Sequence, residues 1–416
     1  MNEYKQIYAT ANEIVGQMDG AKELGEINTN NVVDLGKVLN DLNLAGEFNN
    51  QMAMKLARTY ILTREANDIQ PDLMADSYDW GIVTEWISVD QPVAIIDEAF
   101  EIQDGSSVDQ YVVTMPKTTV KYYAQEQKWV VKITRFKEQL KSVFDSAEVF
   151  ERFWSAIEVE VRNAIREQYS GLSYLALDTA IAQTICDEYT TSYATDYAAN
   201  TSVKAINLLK EFNDAQTAAG LSTISADSAL TNKEFIRFAN LKMRRVKSRM
   251  NDFSRAFNID GRKWRTPESE MKYFIHSDYV SAASSYLYSG EFNKDDVYIP
   301  QGYQEVNRWQ AIDANAANTY DWDVTSAIDI TTTVGGSDVE VSVKGIVAVM
   351  MDKYAAIVFN QLEDTLTTPI NAYGRYLNIF HHMNSNYQFH PEFNFVFFYI
   401  AEPEGEGDGG DGGDGE

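Results

Sequence analysis

The alternation of apolar and polar positions is clearest between residues 146 and 188. Phe150, Trp154, Ile157, Val161, Ile165, Tyr169, Leu172, Ala176 and Ala180 recur in steps of three and four, which gathers them on one face of a helix. Glu158, Arg162 and Arg166 fall on the other side, and Glu158 with Arg162 makes a supportive pair four residues apart. Asp145 followed by Glu148 fits a capping box at its start. At 1.5 Å per residue such a helix is about 60 Å long, several times the usual three turns. It needs support from more than one core, and Ser170-Gly171 is where it would bend.

The period changes on either side of this helix. Residues 86–137 are rich in β-branched and aromatic side chains, with two runs, Val93 to Ile102 and Tyr111 to Tyr123, around Asp104-Gly105-Ser106-Ser107. Asp-Gly between such runs is a hairpin signal. Thr114, Lys117, Thr119 and Lys121 interrupt the apolar positions, so the ribbon is half polar and must lean on another surface. An ordinary edge hairpin of a larger sheet is the simpler alternative.

Residues 1–80 are polar with scattered apolar pairs. Val32, Val33, Leu35, Val38 and Leu39 predict a short amphipathic helix, and Met52 to Ile61 a second; the segment reads as an arm lying on something else. After the long helix, Val203, Ile206, Leu209 and Phe212 predict a helix ending at Gly220. Thr231 and Glu234 form a capping box before Phe235, Phe238, Leu241 and Val246. Then come a strand at 272–276, a helix at 278–288 and a polar stretch at 310–343, read as an inserted loop or small β excursion. Strands return at 345–350, 354–359, 376–382 and 393–399. Glu402 to Glu416 holds seven acids, no bases and mostly glycine, a composition that cannot offset ordering entropy and predicts disorder.

Composition narrows the function. The 416 residues are 44% hydrophobic, enough for a sizeable core. The net charge of −27 opposes general nucleic-acid binding, which needs clustered Lys and Arg. A single cysteine, Cys186, excludes an intrachain disulfide framework and cysteine-rich zinc sites; it reads as a structural helix cysteine. No apolar run of about 18 residues predicts a membrane span, and no secretory signal is expected.

No catalytic constellation assembles. The four histidines, His276, His381, His382 and His390, accompany no nucleophile elbow, and neighbours such as His381 and His382 on a strand point to opposite faces and cannot easily share an ion. No phosphate-binding glycine loop occurs. Catalytic, cofactor and metal residues are therefore expected to be none. One region breaks the acidic trend: Lys242, Arg244, Arg245, Lys247, Arg249, Arg255, Arg262, Lys263 and Arg265. It fits a solvated helix face, an acidic protein partner such as another copy, or nucleic acid. The 12% aromatic content suits interfaces and cores equally.

Four segments, in this order, resemble the major capsid proteins of tailed bacteriophages with the Hong Kong 97-type fold, most nearly those of short-tailed phages. They are Asn31-Val-Val-Asp-Leu-Gly-Lys-Val-Leu39; Phe144-Asp-Ser-Ala-Glu-Val-Phe-Glu-Arg-Phe-Trp154; Lys272-Tyr-Phe-Ile-His-Ser-Asp-Tyr279; and Gly345-Ile-Val-Ala-Val-Met-Met-Asp-Lys-Tyr354 with Asn371-Ala-Tyr-Gly-Arg-Tyr-Leu377. The resemblance implies an α+β chain. Its parts would be an N-terminal arm (1–80), an extended E-loop hairpin (86–137), the spine helix of a P domain (138–188) and an A domain (189–343) with an insertion near 310–343. Returning strands of the A and P domains (344–401) and the acidic tail (402–416) would complete it.

It further implies a non-enzymatic head protein whose copies form pentamers and hexamers of an icosahedral shell around double-stranded DNA, held without sequence-specific contacts. Scaffolding and portal proteins would be partners. Assembly would take place in the host bacterial cytoplasm, the mature site being the virion, with no membrane. Trp86, Phe100, Tyr111 and Tyr122 are expected as hairpin contacts between subunits, Arg244 and Arg245 as intersubunit ion-pair partners, and Phe150, Trp154 and Ile157 as the core of the spine. A tail tube or sheath subunit, which would form rods, is the nearest alternative, and a soluble enzyme a more distant one.

Overall fold

The computed structural model describes residues 3–17, 27, 32–41, 48, 71–73, 84–92, 94, 103–105, 111, 113, 115–123, 127–136, 147–189, 196–288, 302–310, 321–334, 336–369, 371 and 373–403. Two units interleave along the sequence: 1–82 with 125–173 and 358–387, and 83–124 with 174–357 and 388–416.

In the first unit, helices α1 (Glu3–Gln17) and α2 (Val32–Asp41) bury Ala11, Ile14 and Val15 and Val32, Leu35 and Leu39. Their spacing of three and four residues puts each set on one face. The Asn12 side chain donates to the Ile27 carbonyl at 3.0 Å and accepts from the Ile27 amide. One amide thus imitates a strand partner and ties the chain after α1 back onto it. The second helix expected in this region, Met52 to Ile61, lies outside the described residues.

A three-stranded sheet follows, ordered β10 (Ala356–Thr367), β11 (Tyr376–Phe389), β3 (Gln127–Phe136). β3 and β11 run antiparallel, with Ile133 opposite Ile379 and Lys132 opposite Phe380. Both isoleucines are buried, while Lys132 lies over the Phe380 ring at 5.5 Å, so one face is core and the other is polar. Trp129 donates its indole N–H to Ser385 Oγ at 2.6 Å.

The long helix is α3 (Ala147–Glu188), 42 residues, unbroken through Ser170 and Gly171. The boundary between the two units falls after Ser173 within it. Val161, Ile165, Tyr169, Leu172, Ala176 and Ala180 are buried as their period requires. The side chains of Phe150, Trp154 and Ile157, and the Asp145 cap, lie outside the described residues.

The second unit centres on a five-stranded sheet ordered β4 (Ala205–Asn207), β12 (Phe395–Tyr399), β9 (Ile346–Asp352), β5 (Met271–His276), β6 (Gln304–Val306). β9 and β12 are buried at every position, which is why they read as continuous apolar runs without alternation. Helices α4 (Leu208–Ala218), α5 (Lys233–Met250) and α6 (Ser277–Tyr288) contribute Phe212, Phe235, Met243 and Tyr279 to the core that includes Met350 and Phe398.

Two helix starts differ from the sequence expectation. Ala205–Asn207 is a strand, paired in parallel with Phe397–Tyr399, and α4 begins only at Leu208 because the Asn207 side chain accepts from the Lys210 amide at 3.1 Å. Likewise Asn232, one residue after Thr231, caps α5 by accepting from the Glu234 and Phe235 amides. α4 does end at Gly220, at φ 71, with the Gly220 amide on the Thr217 carbonyl and the Leu221 amide on that of Gln216, the paired bonds of a Schellman motif. The polar stretch at 310–343 contains the hairpin β7 (Ile328–Val334) and β8 (Ser337–Val343).

Candidate interaction surface

Within the second unit, β1 (Thr84–Val89) and β2 (Thr118–Tyr123) form an antiparallel ribbon with Thr84 opposite Tyr123 and Val89 opposite Thr118. Pairing begins earlier than the sequence runs suggested, at residue 84 instead of 93; Asp104-Gly105 does turn, with Gly105 at φ 89. Directly opposite residues share a face in such a pair. Trp86, Lys121 and Tyr123 therefore lie together on one face, and Ile87, Val89, Val120 and Tyr122 on the other.

The two faces have different surroundings. The Trp86 ring packs on His390 (4.6 Å between ring centres), Phe393 (5.6 Å) and Tyr354 (5.9 Å), and Tyr123 meets His390 edge-on at 4.5 Å. Lys121 is ion-paired with Asp260 and lies 4.0 Å from Glu392. Arg262 reaches Glu392 at 3.4 Å and donates to the Val89 carbonyl at 3.2 Å. An aromatic cluster and a four-membered charge network thus hold the base of the ribbon.

The loop supplying Asp260 and Arg262 is itself fixed. Asn258 accepts from the Arg262 amide at 2.8 Å and donates to the Arg262 carbonyl at 2.7 Å. Further along, Trp264 Nε1 and Thr266 Oγ1 both donate to the buried Asp352 carboxylate, at 3.0 and 2.9 Å. Burial pushes Asp352 up from the ordinary carboxylate range, and these donors act against it.

His390 is fully buried, and neither ring nitrogen has a hydrogen-bond partner. Burial first, and the Lys121 ammonium second, push it down from 6.5 to about 3. The charged or titratable groups facing this cluster are Lys121, Tyr123, Asp260, Arg262, Tyr354 and Glu392; burial, then Glu392 and Asp260, raise the Tyr123 phenol. The folded chain keeps His390 neutral where the unfolded chain would protonate it. Its contribution is complete above pH ~7 and is lost as pH falls from about 6.5 toward 3. At pH ~4.5 the loss is about 3 kcal/mol, at about 1.4 kcal/mol per tenfold change. Thermal unfolding between pH 7.5 and 4.5 should lose less stability in His390→Phe than in the parent; equal losses would remove His390 as the cause.

The outer side of the ribbon and the segment beyond it remain open. Tyr111 is 86% exposed, Met115 81%, Val113 76%, Tyr122 67% and Ile87 63%, with Val89 and Val120 less so. Seven of the seventeen large apolar side chains exposed among the described residues fall between residues 87 and 122, a concentration that marks an interaction surface.

The sequence expectations divide accordingly. Tyr111 and Tyr122 are on the open side, where Tyr122 also donates to Glu85 at 3.0 Å. Trp86 is half-buried on the inner face, with its ring against Tyr354, His390 and Phe393 of its own chain. Phe100 lies outside the described residues. Arg244 and Arg245 are exposed on α5, with Arg244 beside a small polar cleft that includes Lys247, Ser248 and Glu268. Sequence reasoning missed Ile87, Val113 and Met115, and the convergence of His390, Phe393 and Glu392 under the ribbon. Strand alternation shows two faces without showing which one is covered. Among the described residues, no three His, Cys, Asp or Glu side chains are placed so that they could hold a metal ion, and no helix is long and apolar enough to cross a membrane.

Residues 7–399 match the family model described as Phi29-like phage major capsid protein. No curated protein matches the chain. Among solved structures, a chain in the capsid of Staphylococcus phage Andhra is similar, at 12% identity over 80% of this chain and 84% of that one, with a TM-score of 0.46. A chain in the capsid of Cyanophage P-SCSP1u has 12% identity over 80% and 88%, with a TM-score of 0.41. The assignment rests on the family match.

Proposed function

Because the chain belongs to the Phi29-like phage major capsid protein family and is thus a structural protein of a phage head, we propose that its copies close into an icosahedral shell of pentamers and hexamers through the outer face of the β1–β2 ribbon. The observation carrying this reading is the asymmetry of that ribbon: a locked inner face, and an outer face rich in exposed apolar side chains. A ribbon so fixed at its base presents those side chains at little further entropic cost, which is what a repeated interface requires. In Hong Kong 97-type terms the ribbon acts as the E-loop, α1 and α2 belong to the arm, α3 is the spine and the five-stranded sheet is the A domain. Tyr111 and Tyr122 meet a neighbouring subunit, and exposed Arg244 and Arg245 meet its acidic side chains.

The mechanism is association through many modest contacts, each strengthened because every subunit meets several neighbours and the shell closes on itself. The shell encloses double-stranded DNA without reading its sequence, and the net charge of −27 keeps the wall from trapping what it contains. Scaffolding and portal proteins take part during assembly in the bacterial cytoplasm, and the mature protein resides in the virion.

Negative-stain microscopy of the chain expressed with its scaffold tests the reading, beside a variant carrying Ile87→Asp and Val120→Asp, at positions opposite each other on the outer face of the ribbon. Closed particles or hexagonal sheets are expected from the parent, and only small soluble species from the variant. Particles of normal form from the variant would sink the ribbon as the interface. Rods from the parent would mean a tube or sheath subunit.

A further inference from the structure

The 33 residues from 233 to 265 carry eleven Lys and Arg against three acids, in a chain whose net charge is −27. Lys242 and Lys247 face inward onto Glu211 and Glu268. Arg245 and Arg249 on α5, and Arg255, Lys263 and Arg265 on the following loop, are exposed. Part of this segment has a structural purpose, since Arg262 holds the ribbon; the exposed cations lie outside that network.

The opposite charge is concentrated at the C-terminus, where Glu402 to Glu416 has seven acids and no base. Where the described chain ends relates these two segments. The Ala401 carbonyl accepts from Asn207 Nδ2 at 2.8 Å, and Asn207 caps α4. One turn into α4, Glu211 Oε2 is 2.6 Å from Lys242 Nζ on α5. The tail therefore leaves the fold beside the N-terminus of α4, the neighbour of the helix that carries the cations. Its thirteen residues beyond Pro403 reach up to roughly 45 Å at about 3.4 Å each, and the eighteen residues of α5 span about 27 Å.

We propose that the acidic segment 404–416 docks on the basic face formed by α5 and the loop 251–265 of its own chain. Each exposed ion pair is weak, but a tethered polyanion acts at an effective concentration in the millimolar range, and its glycines let successive carboxylates follow a convex surface. The docked tail neutralises a markedly basic stretch of the sequence and denies it to phosphate groups. It is released by salt, because exposed charges are screened within a Debye length of about 8 Å at physiological ionic strength.

Carbodiimide crosslinking of the full chain tests this, using a mixture of nitrogen-15-labelled and unlabelled copies read by mass spectrometry. Crosslinks from acids of 404–416 to Lys233 or Lys263 within one isotopic species are expected. Their yield should fall at least fivefold in Arg245→Glu with Arg249→Glu, and by a similar factor in the unaltered chain when salt rises from 50 to 500 mM. The salt series uses native protein, so a misfolded variant would not leave the question open. Absence of these crosslinks, yields indifferent to salt, or crosslinks confined to pairs of labelled and unlabelled copies would overturn docking within the chain. None of these readings depends on whether shells form.

Discussion

Val113→Asp with Met115→Asp is expected to abolish particle formation while leaving the melting temperature of the dissociated subunit within about 2 °C of the parent. Both side chains are more than three-quarters exposed, so the isolated fold loses almost no burial, and exposed substitutions usually change stability by less than about 0.5 kcal/mol. At an interface the same changes forfeit about 1.5–3 kcal/mol of apolar burial per side chain and add the cost of burying carboxylates without partners. A loss of about 4 kcal/mol per contact weakens it about a thousandfold, and every subunit carries the lesion. Analytical ultracentrifugation of the variant beside the parent, with thermal melting of each, separates the two effects. A lowered melting point with assembly retained would mean that these residues serve the fold.

Gly345→Val should be severely damaging, leaving little soluble protein. Gly345 sits at φ 73, a conformation costing a side chain about 1–2 kcal/mol. A Cβ there would stand 2.0 Å from the Ile400 carbonyl oxygen, a backbone atom. That backbone cannot yield cheaply, because the Ile400 amide donates to the Gly345 carbonyl at 2.8 Å and the Gly345 amide to Ser326 Oγ at 3.1 Å. The strand β9 begins at the next residue. Total destabilisation should exceed about 4 kcal/mol, in the rare upper range. Gly336→Ala is the control: its φ is 87 but nothing lies within 4 Å of the added carbon, so it should cost only about 1–2 kcal/mol. Soluble fractions and urea midpoints of the two variants compare them, and similar behaviour would reduce Gly345 to a matter of backbone angle alone.

Periodicity carried the parts of the fold in which one element buries one face. The long helix was legible because its stripe persists through Ala180, and β9 and β12 were legible as unbroken apolar runs. The short strand Ala205–Asn207 was not, since three residues give no period and Ile206 also suits the helix that follows. Asn207 and Asn232 carry their meaning in hydrogen bonds to amides two or three residues on, and a capping pattern one residue away competes with them. The ribbon was partly legible: its composition and its Asp-Gly turn were plain, but its covered face depends on His390 and Phe393, more than 300 residues beyond Trp86. Only the fold brings them together, and without it an aromatic anchor and an aromatic contact look alike.

The position of β12 in its sheet also bears on synthesis. Residues 395–399 do not join an edge; they fill the place between β4 and β9, and the first unit likewise waits for residues 358–387. Neither core can close until nearly the whole chain has left the ribosome, which at about 5–20 residues per second takes about 20–80 s. A chain cut short by a broken message or a premature stop is therefore left without a folded unit of either kind. For an assembly made of many identical copies, the late arrival of this interior strand makes folding a check on the completeness of each one.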